Sequence, residues 1–178
     1  MDGDGSIMTE NDSQSVFRIR PLIYPDRAWV VDLATEHRGS DKMVVHEEVF
    51  FISQLPGFTA EKEGEVAGLV TYHLANMECE IISLDSLQPG LGIGTALIEA
   101  VRMTAIQQGC RRLFLATTND NIDALLFYQK RGFVLVELRP GAVTAARKIK
   151  PEISLVGNYG LPIRDEIELE MNLFHGGL

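Results

Sequence analysis

Three glycines stand directly before a helix-prone segment in LQPGLGIGTALIEAV, residues 87–101. Glycine at such a place means that the backbone turns tightly or comes close to something. A helix N-terminus also presents unpaired N–H groups and the positive end of the peptide dipoles, and together these attract anions. Gly90, Gly92 and Gly94 therefore fit either a phosphate cradle or a tight, ligand-free turn from strand to helix. Their spacing removes two kinds of phosphate site. A dinucleotide fingerprint needs glycine at the first, third and sixth positions, but here the sixth falls on Thr95 or Leu97. A nucleoside-triphosphate loop ends in Lys and then Ser or Thr, and no such pair closes this turn.

The chain around this turn has 178 residues, 46% hydrophobic and 23% charged. That suits one soluble domain with its own core. A net charge of -9 and a pI near 4.9 argue against nucleic acid as a partner and are compatible with a cationic or amine substrate. No apolar run approaches the roughly 20 residues of a membrane helix, so no membrane partner is expected. The first segment, MDGDGSIMTENDSQS, is too polar and acidic for a signal peptide. Residues 1–14 are expected to be a flexible N-terminal tail, and 15–178 a single domain. Cys79 and Cys110 lack metal or redox spacing, which predicts reduced packing residues, no metal and a cytoplasmic location.

The elements that must position the glycine turn follow from pattern. FRIRPL (17–22) reads as a first strand, and Pro25-Asp26 opens a helix with Trp29, Val30 and Leu33 on one face. Residues 43–56 fit a short strand and a helical turn equally well. GFTAEK, EVAGLVTYHL and ECEIISL are three β-prone segments with short connections, an antiparallel meander. The glycine turn thus follows strands already paired as hairpins. Thr95 to Gln108 carries a helical apolar stripe that Gly109 stops. RRLFLATT (111–118) is a strand. Asn121 to Arg131 is a helix with Ile122, Leu125 and Leu126 on one side, and Phe133 to Leu138 is a strand. A long connection over 139–163 carries a short helix at AVTAARKI. IELEMNL then alternates strictly, which predicts a half-exposed strand whose row Glu166, Glu168 and Glu170 is a solvated face or, alternatively, attracts a cationic acceptor.

Strand, glycine turn, helix, strand and then NDNIDALLFYQKRGF (119–133) resemble the GNAT N-acetyltransferases, which use acetyl-CoA. Their first signature is Gln/Arg-x-x-Gly-x-Gly/Ala, and Gly92-Ile93-Gly94 fit its end. Its Gln/Arg position falls on Pro89, with Gln88 one residue early, which leaves the backbone amides to hold the coenzyme pyrophosphate. The second signature is met by Asn121, Ala124, Phe127, Tyr128, Gly132 and Phe133 at full spacing. The resemblance covers residues 17–138. The last 40 residues, with PIRDEIELEM at 162–171, are similar to a bacterial subgroup of the family and name no substrate.

The resemblance implies an α/β domain of α+β type, a mixed, mostly antiparallel central sheet flanked by helices. It also implies transfer of an acetyl group from acetyl-CoA to a small-molecule or peptide amine by direct attack in a ternary complex. Leu91, Gly92, Ile93, Gly94 and Thr95 would receive the pyrophosphate, with the helix dipole contributing only ~0.3–1 kcal/mol beside direct hydrogen bonds. Strand backbone from Ser83 to Leu87, Leu84 and Asp85 included, would pair with the pantetheine arm. Asn121 is a helix cap, a contact to that arm, or both. Tyr128 would protonate the departing thiolate. An ammonium must also lose a proton before it attacks a thioester, so a base is needed. Glu80 stands where some relatives place theirs, with Glu78, Asp85 and His73 as rivals and a water chain as a substitute. The other class of function is a non-catalytic acyl-CoA-binding or interaction protein on the same fold. The sequence is silent on assembly beyond the general prevalence of homodimers. The 139–163 connection, long for a compact domain, is expected to border the acceptor.

Overall fold

The computed structural model describes residues 17–174, so the tail expected over 1–14 lies outside the described residues. Along the chain run β1 (Arg18–Pro21), α1 (Arg27–Arg38), β2 (Lys42–Val45), β3 (Glu48–Phe51), β4 (Gly57–Lys62), β5 (Glu65–Ala75) and β6 (Glu78–Ser86). There follow α2 (Ile93–Gln107), β7 (Arg112–Thr118), α3 (Ile122–Gln129), β8 (Val134–Arg139), α4 (Ala142–Ala146) and β9 (Glu166–Asn172). Seven strands form one sheet in the order β1-β4-β5-β6-β7-β9-β8. Only β6 and β7 run parallel, so the sheet is the mixed, mostly antiparallel one expected, flanked by helices.

Two short turns set the meander. Glu63-Gly64 joins β4 to β5 and Asn76-Met77 joins β5 to β6, all four residues at positive φ. Such turns match the right-handed twist of paired strands. One face of the sheet then carries Cys79, Ile81, Leu113, Leu115 and Leu169 against Leu97, Val101 and Ala105 of α2. On the other face α1 covers Leu69 with Val30 and Ala34, and the β2–β3 hairpin covers Ile82 with Val45 and Phe50. The ambiguous segment 43–56 contains both alternatives, since the hairpin is followed by one helical turn at Ile52–Gln54. In α3 the expected apolar side is corrected. Ile122 and Leu126 are exposed, Leu125 packs against the core as expected, and Ala124, Phe127 and Tyr128 turn toward it as well. A helix apolar nearly all round leaves its orientation to tertiary contacts.

The feature that matters most for function is where two strands part. β6 and β7 pair only from Glu78–Ile81 to Arg112–Leu115. On the β5 side the register shifts between Thr71 and Tyr72, leaving Ile82 as an extra residue on β6. A bulge of this kind bends its strand. Beyond it β6 stays paired with β5 as far as Ser86, and β7 stays paired with β9 as far as Thr118. Their facing edges are unpaired with each other, and a cleft opens between them.

Candidate active site

The cleft encloses about 900 Å³ and runs from Gly94, Ser83 and Leu84 past Asn121, Ala124, Phe127 and Tyr128. It continues toward His37 and Arg38 of α1, Val44 and Val45 of β2, and Val143, Lys150 and Ile163 of the long connection. The 139–163 segment therefore walls one end of the same space as the glycine turn and Tyr128.

At the turn, Gly90 and Gly92 adopt φ of +83° and +77°, a conformation that side-chain-bearing residues take only with strain. Gly92 caps α2, its carbonyl accepting from Ala96 N at 3.0 Å. A Cβ on Gly92 would meet no protein atom within 4 Å, whereas one on Gly94 would come 3.0 Å from the Phe127 ring. Gly94 is thus a packing glycine, and Gly92 keeps the backbone open to the outside. The first turn of α2 holds no acidic side chain. Instead Arg131 reaches it, donating from Nε to Thr95 Oγ1 at 2.8 Å with its guanidinium 3.4 Å above the Phe127 ring. A cation set against the positive end of a helix dipole is electrostatically unfavourable unless an anion joins them.

Asn121 does cap α3. Its Oδ1 accepts from Ala124 N at 3.3 Å, its Nδ2 donates to Thr117 Oγ1 at 3.2 Å, and it lines the cleft as well. Asn119 is a turn residue that clamps the connection before β9, accepting from Arg164 N and Asp165 N. Tyr128 is buried, its ring edge-on to Phe127 and Phe133 at 5.2 and 5.3 Å. Among the described residues its hydroxyl has no hydrogen-bond partner, and it borders the cleft. Burial first, and the Asp85 charge second, push this phenol well above the ordinary value of 10. Leu84 faces the cleft, but the Asp85 side chain turns toward α1. There its Oδ1 lies 3.0 Å from His37 Nδ1 and 2.9 Å from Arg38 NH2.

Glu80 is buried, 6% exposed, on the hairpin side of the sheet and outside the cleft wall. Its Oε1 lies 3.0 Å from His46 Nε2, while His46 Nδ1 lies 2.7 Å from Glu166 Oε1. Neither contact is aligned as a hydrogen bond, so the pairing is chiefly electrostatic. The solvated row expected on β9 is corrected here. Glu166 and Glu168 are 8% and 4% exposed, drawn inward by three cations. Arg139 donates to Glu137, Glu166 and Glu168, and Arg112 to Glu78, Glu168 and Glu170. His46 is the third. Of the rival bases, Glu78 is engaged by Arg112 and His73 packs against Phe50 with the rings tilted and their centroids 5.2 Å apart.

Glu166 first and Glu80 second raise the His46 pKa to about 9 from an ordinary 6.5. A raised histidine stabilises the fold fully below the unfolded value and progressively less as pH climbs through the folded one. A displacement of this size is worth on the order of a few kcal/mol. His46→Gln should therefore lower the thermal midpoint clearly at pH 6 and much less at pH 10. A deficit that stays constant across that range, measured by calorimetry, would show that the ion pairs do not carry it.

His46, His37 and Arg131 were not singled out in the sequence. Only Arg131 carried a usable local signal, lying three residues beyond Tyr128 and hence on the same side of the chain as the cleft-lining signature. His46 sits at φ +51° in a two-residue hairpin turn with Glu47, and neither residue advertises such a turn. No group of three or more potential metal ligands occurs among the described residues, nor any helix long and apolar enough to cross a membrane.

The fold and site define an α/β domain whose mostly antiparallel sheet splits beside a glycine-turned helix to open a cleft. The chain belongs to the GNAT acetyltransferases, matching "Acetyltransferase (GNAT) family" over residues 19–133. It is 45% identical over 139 residues to uncharacterized protein YdhI of Bacillus subtilis strain 168, covering 78% of this chain and 87% of that one. A GNAT family acetyltransferase from Elizabethkingia anophelis with acetyl-CoA bound superposes with a TM-score of 0.66 at 19% identity, covering 89% and 99%. IAA acetyltransferase from Bacillus cereus does so at 0.65 and 20% identity, covering 88% and 99%.

Proposed function

We propose that the protein is an acetyl-CoA-dependent N-acetyltransferase that moves the acetyl group to a primary amine by direct attack in a ternary complex. The observation that carries this reading is the gap between β6 and β7. It has an unpaired strand edge on one wall, a bare helix N-terminus at one end and a buried phenol alongside. The amides from Leu91 to Thr95 take the pyrophosphate, and Arg131 adds a charge beside them. The free edge of β6 through Leu84 and Asp85 pairs with the pantetheine arm as an added strand, and Asn121 contacts it from the α3 cap. The acceptor enters from the end walled by α1, β2 and residues 143–163. Neither cysteine serves as a nucleophile, because both are buried and burial pushes the Cys79 thiol up to about 12.

In the reaction the amine, once deprotonated, attacks the thioester carbonyl. The tetrahedral adduct collapses with the C–S electrons on sulfur, where Tyr128 donates a hydrogen bond and then its proton. Glu80 takes the amine proton through water, since it stands behind the cleft wall. One observation favours a second base: His37 lines the cleft, and Asp85 holds its Nδ1, which frees Nε2 to accept a proton. Comparing Glu80→Gln with His37→Gln separates them, as the true base should cost ~10²–10⁴-fold in kcat. The overall reading is tested by release of free thiol from acetyl-CoA against a panel of amines, with mass spectrometry of the product. Tight CoA binding with no thiol release over any amine would favour the non-catalytic alternative.

A further inference from the structure

Each charged side chain on the cleft wall is either paired with an opposite charge or exposed to water, except one. His37 and Arg38 share Asp85, Glu166 is held by Arg139, and Asp123 accepts from Tyr159. Glu152 accepts from Ser40 Oγ at 3.0 Å and is exposed to solvent. The exception is Lys150, 4% exposed at the end walled by the long connection. Its ammonium makes one hydrogen bond, to the backbone carbonyl of Lys42 at 2.6 Å, and among the described residues no carboxylate lies within 4.0 Å of it. A lysine ammonium has three donors, and a buried charge is costly unless paired.

Burial pulls the Lys150 pKa below its ordinary 10.5. Glu152 is the largest charge acting on it and opposes that shift, Arg38 and Lys42 act with burial, and Asp41 opposes it more weakly. Asp41 is already engaged, accepting from Ser53 N and Oγ. A purely structural explanation exists, because Lys42 Nζ in turn donates to Ile149 O at 3.0 Å, and the two lysines clasp β2 to the end of the α4 turn. That clasp uses one donor of Lys150 and needs no charge there.

We propose that Lys150 receives a carboxylate of the acceptor, so that the substrate is an amine that also carries a carboxylate, an amino acid in the broad sense. The inference rests on the acetyl-transfer reading and names its substrate class. The acceptor carboxylate would supply a counter-charge in contact with the ammonium, which Glu152 does not, while its amine is left free to face the thioester. A site built around a buried polar group discriminates strongly against analogues that leave it unpaired.

The experiment offers α- and ω-amino acids, each beside its amide and its decarboxylated amine, to wild type, Lys150→Met and Lys150→Arg. Methionine keeps the length and the packing without the charge, and arginine keeps the charge. Wild type should acetylate the carboxylate-bearing members at least tenfold better in kcat/KM. Lys150→Met should lose that preference through acceptor KM, with CoA affinity and Tm near wild type, and Lys150→Arg should retain part of it. Calorimetric binding of the same compounds to the CoA-loaded protein gives a readout independent of turnover. If no compound releases thiol although amino acids still bind through Lys150, the transfer reading fails and the site stands. Equal use or binding of acids, amides and amines by wild type, or a full preference kept by Lys150→Met, would overturn the proposal.

Discussion

Replacing Tyr128 with phenylalanine is expected to lower kcat at least tenfold while leaving Tm and CoA affinity nearly unchanged. The ring contacts with Phe127 and Phe133 survive the change. The lost hydroxyl has no hydrogen-bond partner among the described residues, so its removal orphans nothing, and stability should hold. Chemistry should not. Negative charge gathers on the CoA sulfur as the tetrahedral adduct collapses, and a fixed, preorganised donor acts directly on that charge. Burial keeps the phenol protonated at any working pH, which puts the donor in the right state. The same effect limits the gain. A thiol ordinarily titrates near 8.5, so a phenol held above 10 releases its proton to the sulfur reluctantly. Its help comes mostly as a strengthening hydrogen bond, which places the effect at the low end of the ~10²–10⁴ range for acid–base catalysis. Wild-type kcat in Tyr128→Phe, under single-turnover conditions where chemistry limits the rate, would remove Tyr128 from the mechanism.

What the sequence made legible was local. Asn121, Ala124, Phe127 and Tyr128 lie on about two turns of one helix, and their spacing survives in any fold that keeps the helix. The glycine turn is equally self-contained, since φ above zero at Gly90 and Gly92 demands glycine whatever surrounds them. The meander could be read because its turns are short.

The acidic row on β9 shows the limit. Strict alternation places Glu166, Glu168 and Glu170 on one face but is silent about what covers it. The cover comes from Arg112 on β7, Arg139 on β8 and His46 on a hairpin far back in the chain. No window of local sequence contains those partners, so a solvated face was the natural expectation and burial the outcome. Lys150 stayed hidden for the same reason, because its exposure is decided by Lys42 and the strand it belongs to.

Gly92→Val is expected to weaken CoA binding on the order of a hundredfold or more. Two effects act together, and their separation decides the interpretation. Any L-residue at φ +77° is strained, by roughly 1–2 kcal/mol, and a β-branched one more so. That strain lowers stability or shifts the turn. A Cβ here meets no protein atom within 4 Å, so the protein itself has room for it. If the pyrophosphate lies against the amides from Leu91 to Thr95, that room is where the ligand approaches, and a branched side chain fills it. Gly92→Asn serves as the control, since asparagine tolerates the left-handed region better than other residues. It should recover most of the lost Tm and only part of the lost affinity. Dissociation constants by calorimetry and unfolding midpoints by scanning calorimetry give both quantities for each variant. Should folded Gly92→Val bind CoA with wild-type affinity, the glycine turn would be a strand-to-helix connection only, and the coenzyme phosphates would have to lie elsewhere.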